Sequence, residues 1–137
     1  HELAPGAEVD IYNLHADAGG SAADQNARTV QLAQLATFVQ SYSAGRAVIV
    51  AGDTNLKRRI AADERVLLDF AGGLNLEDVG QLMGMPDHID RFFFRSSPEV
   101  ELKPVLWRVA DEMVDPSGAN LSDHPAINVD FEWRKLR

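Results

Sequence analysis

The sequence predicts an α/β fold, of α+β character, in which a mixed β-sheet is accompanied by one long and one short helix. The first observation is the order of a strand pattern, a long helix pattern and an apolar strand pattern over residues 9–51. This is the order of a βαβ unit, which favours parallel pairing with a right-handed crossover. The second observation is a set of aromatic and alternating segments after residue 89, which are typical of further strands.

The first strand is predicted over residues 9–15, where apolar and polar side chains alternate with the period of two that a strand requires. Residues 1–8 form an irregular lead-in, and the glycine-containing residues 16–20 form a loop. His15 is therefore expected at the carboxyl end of a strand, beside a flexible connection.

The long helix is predicted to begin after Ser21, which has Asp24 three positions later in the arrangement of a capping box. It is expected to end near Tyr42, with Gly45 as a stop signal. Apolar residues at helical spacing predict one buried stripe, made of Leu32, Leu35, Ala36, Val39 and Tyr42.

The central strand is predicted over residues 47–51, which are all apolar and therefore typical of a strand buried on both faces. Gly52 allows a sharp turn, and Asp53 and Asn55 follow just past the strand end. Open sheets present ligand-binding groups at this position. A carboxylate and a carboxamide there can hold a metal ion, a phosphate or an attacking water.

The second half of the chain alternates short elements and connections. A short helix is predicted over residues 63–71, ended by two glycines, and residues 74–86 are expected to be mostly connection. Strands are predicted over residues 89–95, 99–109 and 125–133, with Pro104 marking a bulge or an edge. Residues 111–121 are expected to form a loop.

Composition indicates one globular domain. The chain has 137 residues, of which 45% are hydrophobic, and no apolar run reaches the length of a membrane-spanning helix. The net charge of −8 argues against a large nucleic-acid footprint, although a metal ion can bridge an acidic site to phosphate. The lack of cysteine is compatible with a cytoplasmic or a secreted protein. Because the first residue is His1, we expect the sequence to belong to a longer or processed product.

Charged residues in two segments have two interpretations each. Residues 57–59 are basic, either as a solvated patch or as a rim that attracts an anionic substrate. Asp90 lies in an apolar strand, where a carboxylate needs a partner. It either pairs with Arg91, Arg95 or another basic group, or it accepts the N–H of His124 and fixes the tautomer of that imidazole.

Four motifs occur in a fixed order: Asn-Leu-His at residues 13–15, Gly-Asp-Thr-Asn at 52–55, Ile-Asp-Arg at 89–91 and Ser-Asp-His-Pro at 122–125. This ordered set resembles the carboxyl-terminal half of the endonuclease/exonuclease/phosphatase superfamily, which has the deoxyribonuclease I-like fold. The longer motifs Asn-Leu-His-Ala-Asp-Ala-Gly and Leu-Ser-Asp-His-Pro-Ala are most similar to bacterial sphingomyelinase-like and uncharacterised phosphodiesterase-like members.

The resemblance implies catalytic and substrate-binding roles near the strand ends. His15 matches a histidine that hydrogen-bonds the phosphate or protonates the leaving oxygen. Asp53 and Asn55 match the pair that positions the nucleophilic water and a phosphate oxygen. Asn13, together with Asn55 and His15, is implied to bind the substrate.

The resemblance also implies an acid–base pair and a metal. Asp90 matches the aspartate that orients the last histidine, and His124 matches that histidine, as general base or as a stabiliser of the transition state. Asp123 and Asp53 are implied to associate with Mg²⁺, or with Mn²⁺ or Ca²⁺. Such an ion neutralises phosphate charge and stabilises the leaving oxygen.

The sequence departs from the family pattern in two ways. Thr54 replaces the usual phenylalanine, and the family's amino-terminal half, with its asparagine and metal-binding glutamate, is absent. Residues 1–137 are therefore expected to be the carboxyl-terminal half of a four-layer αββα sandwich. The inner sheet face, including residues 48–50 and 92–94, is expected to lack a cover. The missing half, or a second copy of the chain, would then cover it.

Three functions follow from the resemblance. The first is a metal-dependent phosphoesterase that hydrolyses phosphodiesters or phosphomonoesters by in-line attack of water. The second is a nuclease that cleaves DNA or RNA. The third is an inactive half-domain that serves only as a binding or assembly module.

Overall fold

The computed structural model describes residues 1–136, which form seven strands and three helices. In chain order these are β1 (Glu2–Ala4), β2 (Ala7–His15), α1 (Ala22–Tyr42), β3 (Ala47–Asp53), α2 (Ala61–Leu74), β4 (Glu77–Asp78), α3 (Val79–Leu82), β5 (Asp90–Arg95), β6 (Val100–Val109) and β7 (Ile127–Lys135). Among residues 1–136, no helix combines the length and the apolar composition needed to cross a membrane.

The strands form one mixed sheet and one hairpin. The sheet has the order β1-β2-β3-β5-β4, and β6 pairs with β7 in a separate two-stranded sheet. β2 and β3 are parallel and are joined by α1, whereas the other neighbours are antiparallel. The predicted βαβ unit and mixed sheet are therefore confirmed.

Helix α1 begins as its sequence predicts. The Ser21 hydroxyl accepts a hydrogen bond from the Asp24 backbone N–H, and the Asp24 carboxylate accepts one from the Ser21 N–H, which completes the capping box. Leu32 and Val39 of the predicted stripe are buried. Tyr42, at the last turn, is 61% exposed, so its assignment to the buried stripe is wrong.

The sheet carries an apolar core on each face. On one face, Val48, Val50 and Phe93 pack with residues of α1 and α2. On the other face, Ala47 and Phe94 pack with residues of the β6–β7 hairpin. The described chain thus has three layers, which are helices, sheet and hairpin, and it matches the expected half of a four-layer sandwich.

The predicted bare sheet face at residues 48–50 and 92–94 is wrong, because both faces of these segments are covered. The Phe93 ring packs against a phenylalanine of α2 with centroids 5.6 Å apart, and the Phe94 ring packs against one of β7 at 5.5 Å. The hairpin supplies a cover that its alternating sequence did not reveal. An uncovered part of the sheet lies at β2, where Ile11 is 61% exposed.

Helix α2 differs from its predicted bounds. It continues through Gly72 and Gly73 to Leu74, which is buried, and Asn75 ends it in the left-handed region at a φ of 54°. Burial of Leu74 offsets the roughly 1 kcal/mol that each helical glycine costs. The segment predicted as mostly connection contains β4 and α3, and the predicted lead-in contains β1.

The predicted irregularity in β6 is confirmed. The register against β7 shifts between Pro104 and Leu106, as expected where a proline cannot donate to the ladder. The long connection from β6 to β7 follows, and it contains the predicted loop of residues 111–121.

Gly52 pairs with Leu14 across the parallel β2–β3 pair. Its φ is +140°, and a Cβ built on it would lie 1.9 Å from the carbonyl oxygen of Leu14. No real side chain tolerates that separation, so the close approach of these parallel strands requires glycine. The motif glycine therefore permits the backbone conformation of β3 directly before Asp53.

We expect Gly52→Ala to lower the free energy of unfolding by at least about 2 kcal/mol, because the methyl group must displace backbone atoms in a disfavoured conformation. The matched control is Gly73→Ala in α2, where nothing lies within 4 Å of an added Cβ. That change should stabilise the chain by about 0.5–1 kcal/mol. Urea unfolding midpoints compare the two, and equal midpoints would contradict the proposed close approach.

Candidate active site

Strand pairing places three of the predicted residues side by side. His15 is in register with Asp53 across the parallel β2–β3 pair, and Asp53 is in register with Asp90 across the antiparallel β3–β5 pair. Registered residues on neighbouring strands point to the same face of a sheet. The carboxyl ends of β2 and β3 and the start of β5 therefore deliver two carboxylates and an imidazole to one corner of the sheet.

His124 reaches this corner from the connection between β6 and β7. Its Nδ1 atom lies 2.9 Å from Asp90 Oδ2 and 3.7 Å from Asp53 Oδ2. The His124 backbone N–H donates to the hydroxyl of Ser122 at 3.1 Å, which steadies the segment. The Asp90 carboxylate accepts from Nδ1–H, and this arrangement leaves Nε2 for an external partner.

The pKa of His124 is raised above its ordinary value, mainly because the imidazolium hydrogen-bonds to Asp90. The negative charges of Asp90, Asp53 and Asp123 add to this effect, and partial desolvation opposes it. A larger fraction of the imidazole is therefore protonated at neutral pH than in a free histidine.

The Gly-Asp-Thr-Asn turn is held by hydrogen bonds on both sides. Asn55 has a φ of 50°, and its backbone N–H donates to Asp53 Oδ1 at 2.7 Å. The Asn55 amide nitrogen donates to the carbonyl oxygen of Ala16 at 2.8 Å. Because that contact assigns the NH₂ group to Ala16, the amide oxygen is the free end of the side chain. His15 Nε2 lies 3.6 Å from Asp53 Oδ2, and the imidazole is 74% exposed.

A cleft of about 750 Å³ adjoins this corner. Asn13, Asp90, Asp123 and His124 are among its lining residues. The connection between β6 and β7, which carries Asp123 and His124, also contributes other lining residues, including Met113. The cleft gives the Asp90–His124 pair access to a molecule larger than water.

Asp123 stands apart from the other predicted site residues. Its side chain contacts the Ser122 hydroxyl at 3.4 Å and is exposed. The group of potential metal-ligating atoms, which lie within 4.8 Å of one another, instead contains Asp53, Asp90 and His124. The role of Asp123 as a metal ligand stays a prediction.

The donor set of the corner fits a hard divalent cation. Magnesium takes oxygen ligands, and one or two carboxylates with water are sufficient for it. Asp53 and Asp90 supply carboxylates, whereas Nδ1 of His124 is occupied by Asp90. The two aspartates are therefore the groups that could hold such an ion.

The structure decides between the two interpretations of Asp90. Arg91 and Arg95 do not pair with Asp90: Arg91 contacts Asp78 and Asp87, and Arg95 donates to backbone carbonyls at the other end of β5. Adjacent residues of β5 point to opposite faces of the sheet, so the side chain of Arg91 points away from that of Asp90. Asp90 instead pairs with His124.

Neither interpretation of the basic residues 57–59 holds for Arg58. Its guanidinium is largely buried and forms ion pairs with Glu64 at 2.6 Å and Asp78 at 2.7 Å. It is therefore neither a solvated charge nor a rim for substrate. Sequence reasoning missed this cluster because its acidic partners lie in segments that were expected to be helix and connection.

Titration of His124 tests the described geometry. We expect NMR to give an imidazole pKa above the ordinary 6.5, and we expect Asp90→Asn to lower it most. Asp123→Asn is the matched control and should lower it less, because Asp123 acts only through its charge. Since the folded-state pKa is raised, the pair stabilises the fold below the unfolded-state pKa, and this contribution is lost as pH rises through the folded-state pKa. An equal drop in both variants would contradict the Asp90 contact.

Comparison with known proteins identifies similar sequences. No family model matches the chain. A sphingomyelinase of Mycobacterium tuberculosis is 34% identical over an alignment of 148 residues. The alignment covers 96% of this chain and 29% of the relative. A sphingomyelinase of Mycobacterium bovis gives the same figures. The chain thus spans under a third of the length of the curated relatives it matches.

Solved structures share the fold. A humanised TDP2 of D. rerio is 26% identical with a TM-score of 0.66, covering 93% of this chain and 53% of that chain. The D. rerio TDP2 complexed with a single-strand DNA product is 25% identical with a TM-score of 0.60, and the match covers 85% of this chain and 54% of that chain. A beta toxin of Staphylococcus aureus is 18% identical with a TM-score of 0.57, and the match covers 91% of this chain and 53% of that chain. At this identity the similarity supports the fold alone.

The fold, the motif order and these similarities agree with one another. The layered sheet brings His15, Asp53, Asp90 and His124 to one corner, and relatives of similar sequence share the architecture. The chain is similar in sequence to members of the endonuclease/exonuclease/phosphatase superfamily over the part of them that it spans, and it has their deoxyribonuclease I-like fold.

Proposed function

We propose that the chain is the carboxyl-terminal portion of a metal-dependent phosphodiesterase that hydrolyses its substrate by in-line attack of water. The observation that carries this proposal is the Asp90–His124 hydrogen bond of 2.9 Å, formed beside Asp53 at the edge of an open cleft. An imidazole held by a carboxylate through one nitrogen presents the other nitrogen for proton transfer. The sphingomyelinase relatives support a phosphodiester as the substrate class.

His124 has the central role in the proposed reaction. Its Nε2 atom takes a proton from the attacking water, while Asp90 fixes the tautomer and stabilises the imidazolium that forms. The water oxygen then bonds to phosphorus as the bond to the leaving oxygen breaks, and the leaving oxygen takes up a proton. His15, which is exposed at the same edge, is proposed to contact the phosphate or to supply that proton.

Asp53 and Asn55 position the reacting groups. The Asp53 carboxylate lies between the two histidines, and the turn that carries it is fixed by the Asn55 backbone N–H. The free amide oxygen of Asn55 can accept a hydrogen bond from the nucleophilic water. Asn13, which lines the cleft, is proposed to bind the substrate.

A divalent cation, Mg²⁺ or else Mn²⁺ or Ca²⁺, is proposed to be held by Asp53 and Asp90, with Asp123 as a further candidate ligand. When bound, such an ion neutralises phosphate charge and stabilises the leaving oxygen. The acidic side chains on their own would repel an anionic phosphodiester, and this repulsion makes a counter-charge necessary.

The remaining part of the domain is proposed to come from an amino-terminal half outside these 137 residues. The chain spans 29% of its sphingomyelinase relatives and 53% of the TDP2 structure. The exposed Ile11 on β2 marks sheet surface that such a half would cover. A second copy of the chain is the alternative occupant, and the mass of the native protein separates the two.

His124→Ala tests the proposed chemistry. In the natural protein that contains these residues, we expect the rate of bis(p-nitrophenyl) phosphate hydrolysis in Mg²⁺ to fall about 100-fold or more, because the proton acceptor is lost. Removal of divalent ions with EDTA should abolish turnover, and added Mg²⁺ should restore it.

The matched control is His88→Ala, since His88 packs against Trp107 outside the proposed reaction centre. It should keep turnover within about twofold of the unaltered protein. Equal turnover in the two variants would contradict a catalytic His124, whereas no turnover in the unaltered protein would favour an inactive binding or assembly module.

A nuclease is the second candidate, because one similar structure contains a single-strand DNA product. The net charge of −8 makes lipid or small phosphodiesters the better candidates, since DNA binding normally requires a basic face. We expect sphingomyelin in mixed micelles to be hydrolysed faster than a single-stranded oligonucleotide at equal diester concentration. Faster cleavage of the oligonucleotide would reverse this order of candidates.

A further inference from the structure

We propose that Arg91 is a positioning residue of the site, whose buried guanidinium fixes Asp90 and the turn after Asp53 in relation to each other. The inference rests on the proposed function, because positioning has a measurable meaning only if the site turns over a phosphodiester. Arg91 and Asp90 are neighbours on β5, and their side chains point to opposite faces of the sheet.

The Arg91 side chain is 4% exposed and makes three polar contacts. Nη1 donates to Asp78 Oδ2 at 3.1 Å. Nη2 donates to Asp87 Oδ1 at 2.5 Å and to the carbonyl oxygen of Leu56 at 3.1 Å. The planar guanidinium can make these contacts together, whereas an ammonium group cannot match their geometry.

Each of the three contacts reaches a different segment. Leu56 follows the turn that carries Asp53, and Asp87 lies in the loop that leads into Asp90. Asp78 caps the start of α3, where its Oδ1 accepts from the backbone N–H groups of residues 80 and 81. One side chain therefore ties the two segments that deliver the site carboxylates to a third, fixed point.

The turn requires restraint of this kind. Asn55 adopts a positive φ, which is uncommon for residues other than glycine, and its side chain is held by the carbonyl oxygen of Ala16. The Leu56 carbonyl held by Arg91 is the next restraint along the chain. From β5, the carbonyl oxygen of Ile89 accepts from the Thr54 backbone N–H and hydroxyl at 2.9 and 2.8 Å.

Placement is a better account of this cluster than stability. Desolvation of a buried ion pair offsets much of its attraction, so such pairs contribute little net stability compared with apolar residues. Catalysis is more sensitive, because a misplacement of about 1 Å can reduce the rate about 100-fold. The Asp90–His124 contact of 2.9 Å depends on where the loop before β5 holds Asp90.

Arg95 offers a matched control on the same strand. Its guanidinium donates to the carbonyl oxygens of Ser43, Leu74 and Arg46 at the far end of β5. Arg91→Lys and Arg95→Lys each replace a guanidinium that contacts three acceptor groups and retain the charge, but only Arg91→Lys disturbs the segments that carry the site.

Both variants are made in the natural protein that contains these residues. Their kcat and KM are measured with bis(p-nitrophenyl) phosphate and Mg²⁺, and their unfolding midpoints are measured in urea. We expect Arg91→Lys to lower kcat about 100-fold with KM changed less than about threefold, and Arg95→Lys to leave kcat within about threefold. Asp87→Asn, which removes one contact of Arg91, should lower kcat by an intermediate factor if Arg91→Lys fails to fold.

A double-variant cycle separates positioning from general damage. If Arg91 acts partly through Asp90, Arg91→Lys should lower kcat less in an Asp90→Asn background than in the unaltered protein. Multiplicative losses, or equal kcat losses in the two arginine variants, would overturn the inference. If the unaltered protein hydrolyses no phosphodiester, the proposed function fails instead, and the two failures are thereby distinguished.

Discussion

The pairing of β3 with a neighbour on each side is the constraint on which the rest of the structure depends. β3 is parallel to β2 and antiparallel to β5, and the register of both pairs converges on Asp53. This convergence is possible because Gly52 lets the backbone of β3 approach Leu14 closely. A slip of one residue in either pair would turn the site side chains to the opposite face. Packing on both faces of β3 holds the register, since its alternate side chains belong to two different cores.

Local signals in the sequence predicted much of the fold. The capping box of α1, the buried β3 and the irregularity at Pro104 each depend on a few adjacent residues, and the structure confirms all three. The differences arise where distant contacts override local preference. Helix α2 continues through two glycines because Leu74 is buried beyond them, and the hairpin covers a sheet face that no local pattern connects to it.

The candidate site shows the same division. Placement of Asp53 at a strand end and the pairing of Asp90 with His124 followed from motif order, and the structure brings these side chains together. The sequence did not show that Asp123 would face solvent or that Arg58 and Arg91 would share Asp78. Such ion pairs join residues 13 to 20 positions apart, and no periodic pattern marks them.

The Asp90–His124 contact joins two layers of the molecule. Asp90 is the first residue of a sheet strand, whereas His124 lies on the connection between the two strands of the hairpin. The hydrogen bond therefore reports how the hairpin is seated on the sheet. Thermal opening between these layers would separate the imidazole from its carboxylate while every helix and strand remained folded. Loss of the assembled pair on heating therefore requires only this local opening, whose free energy is at most that of global unfolding.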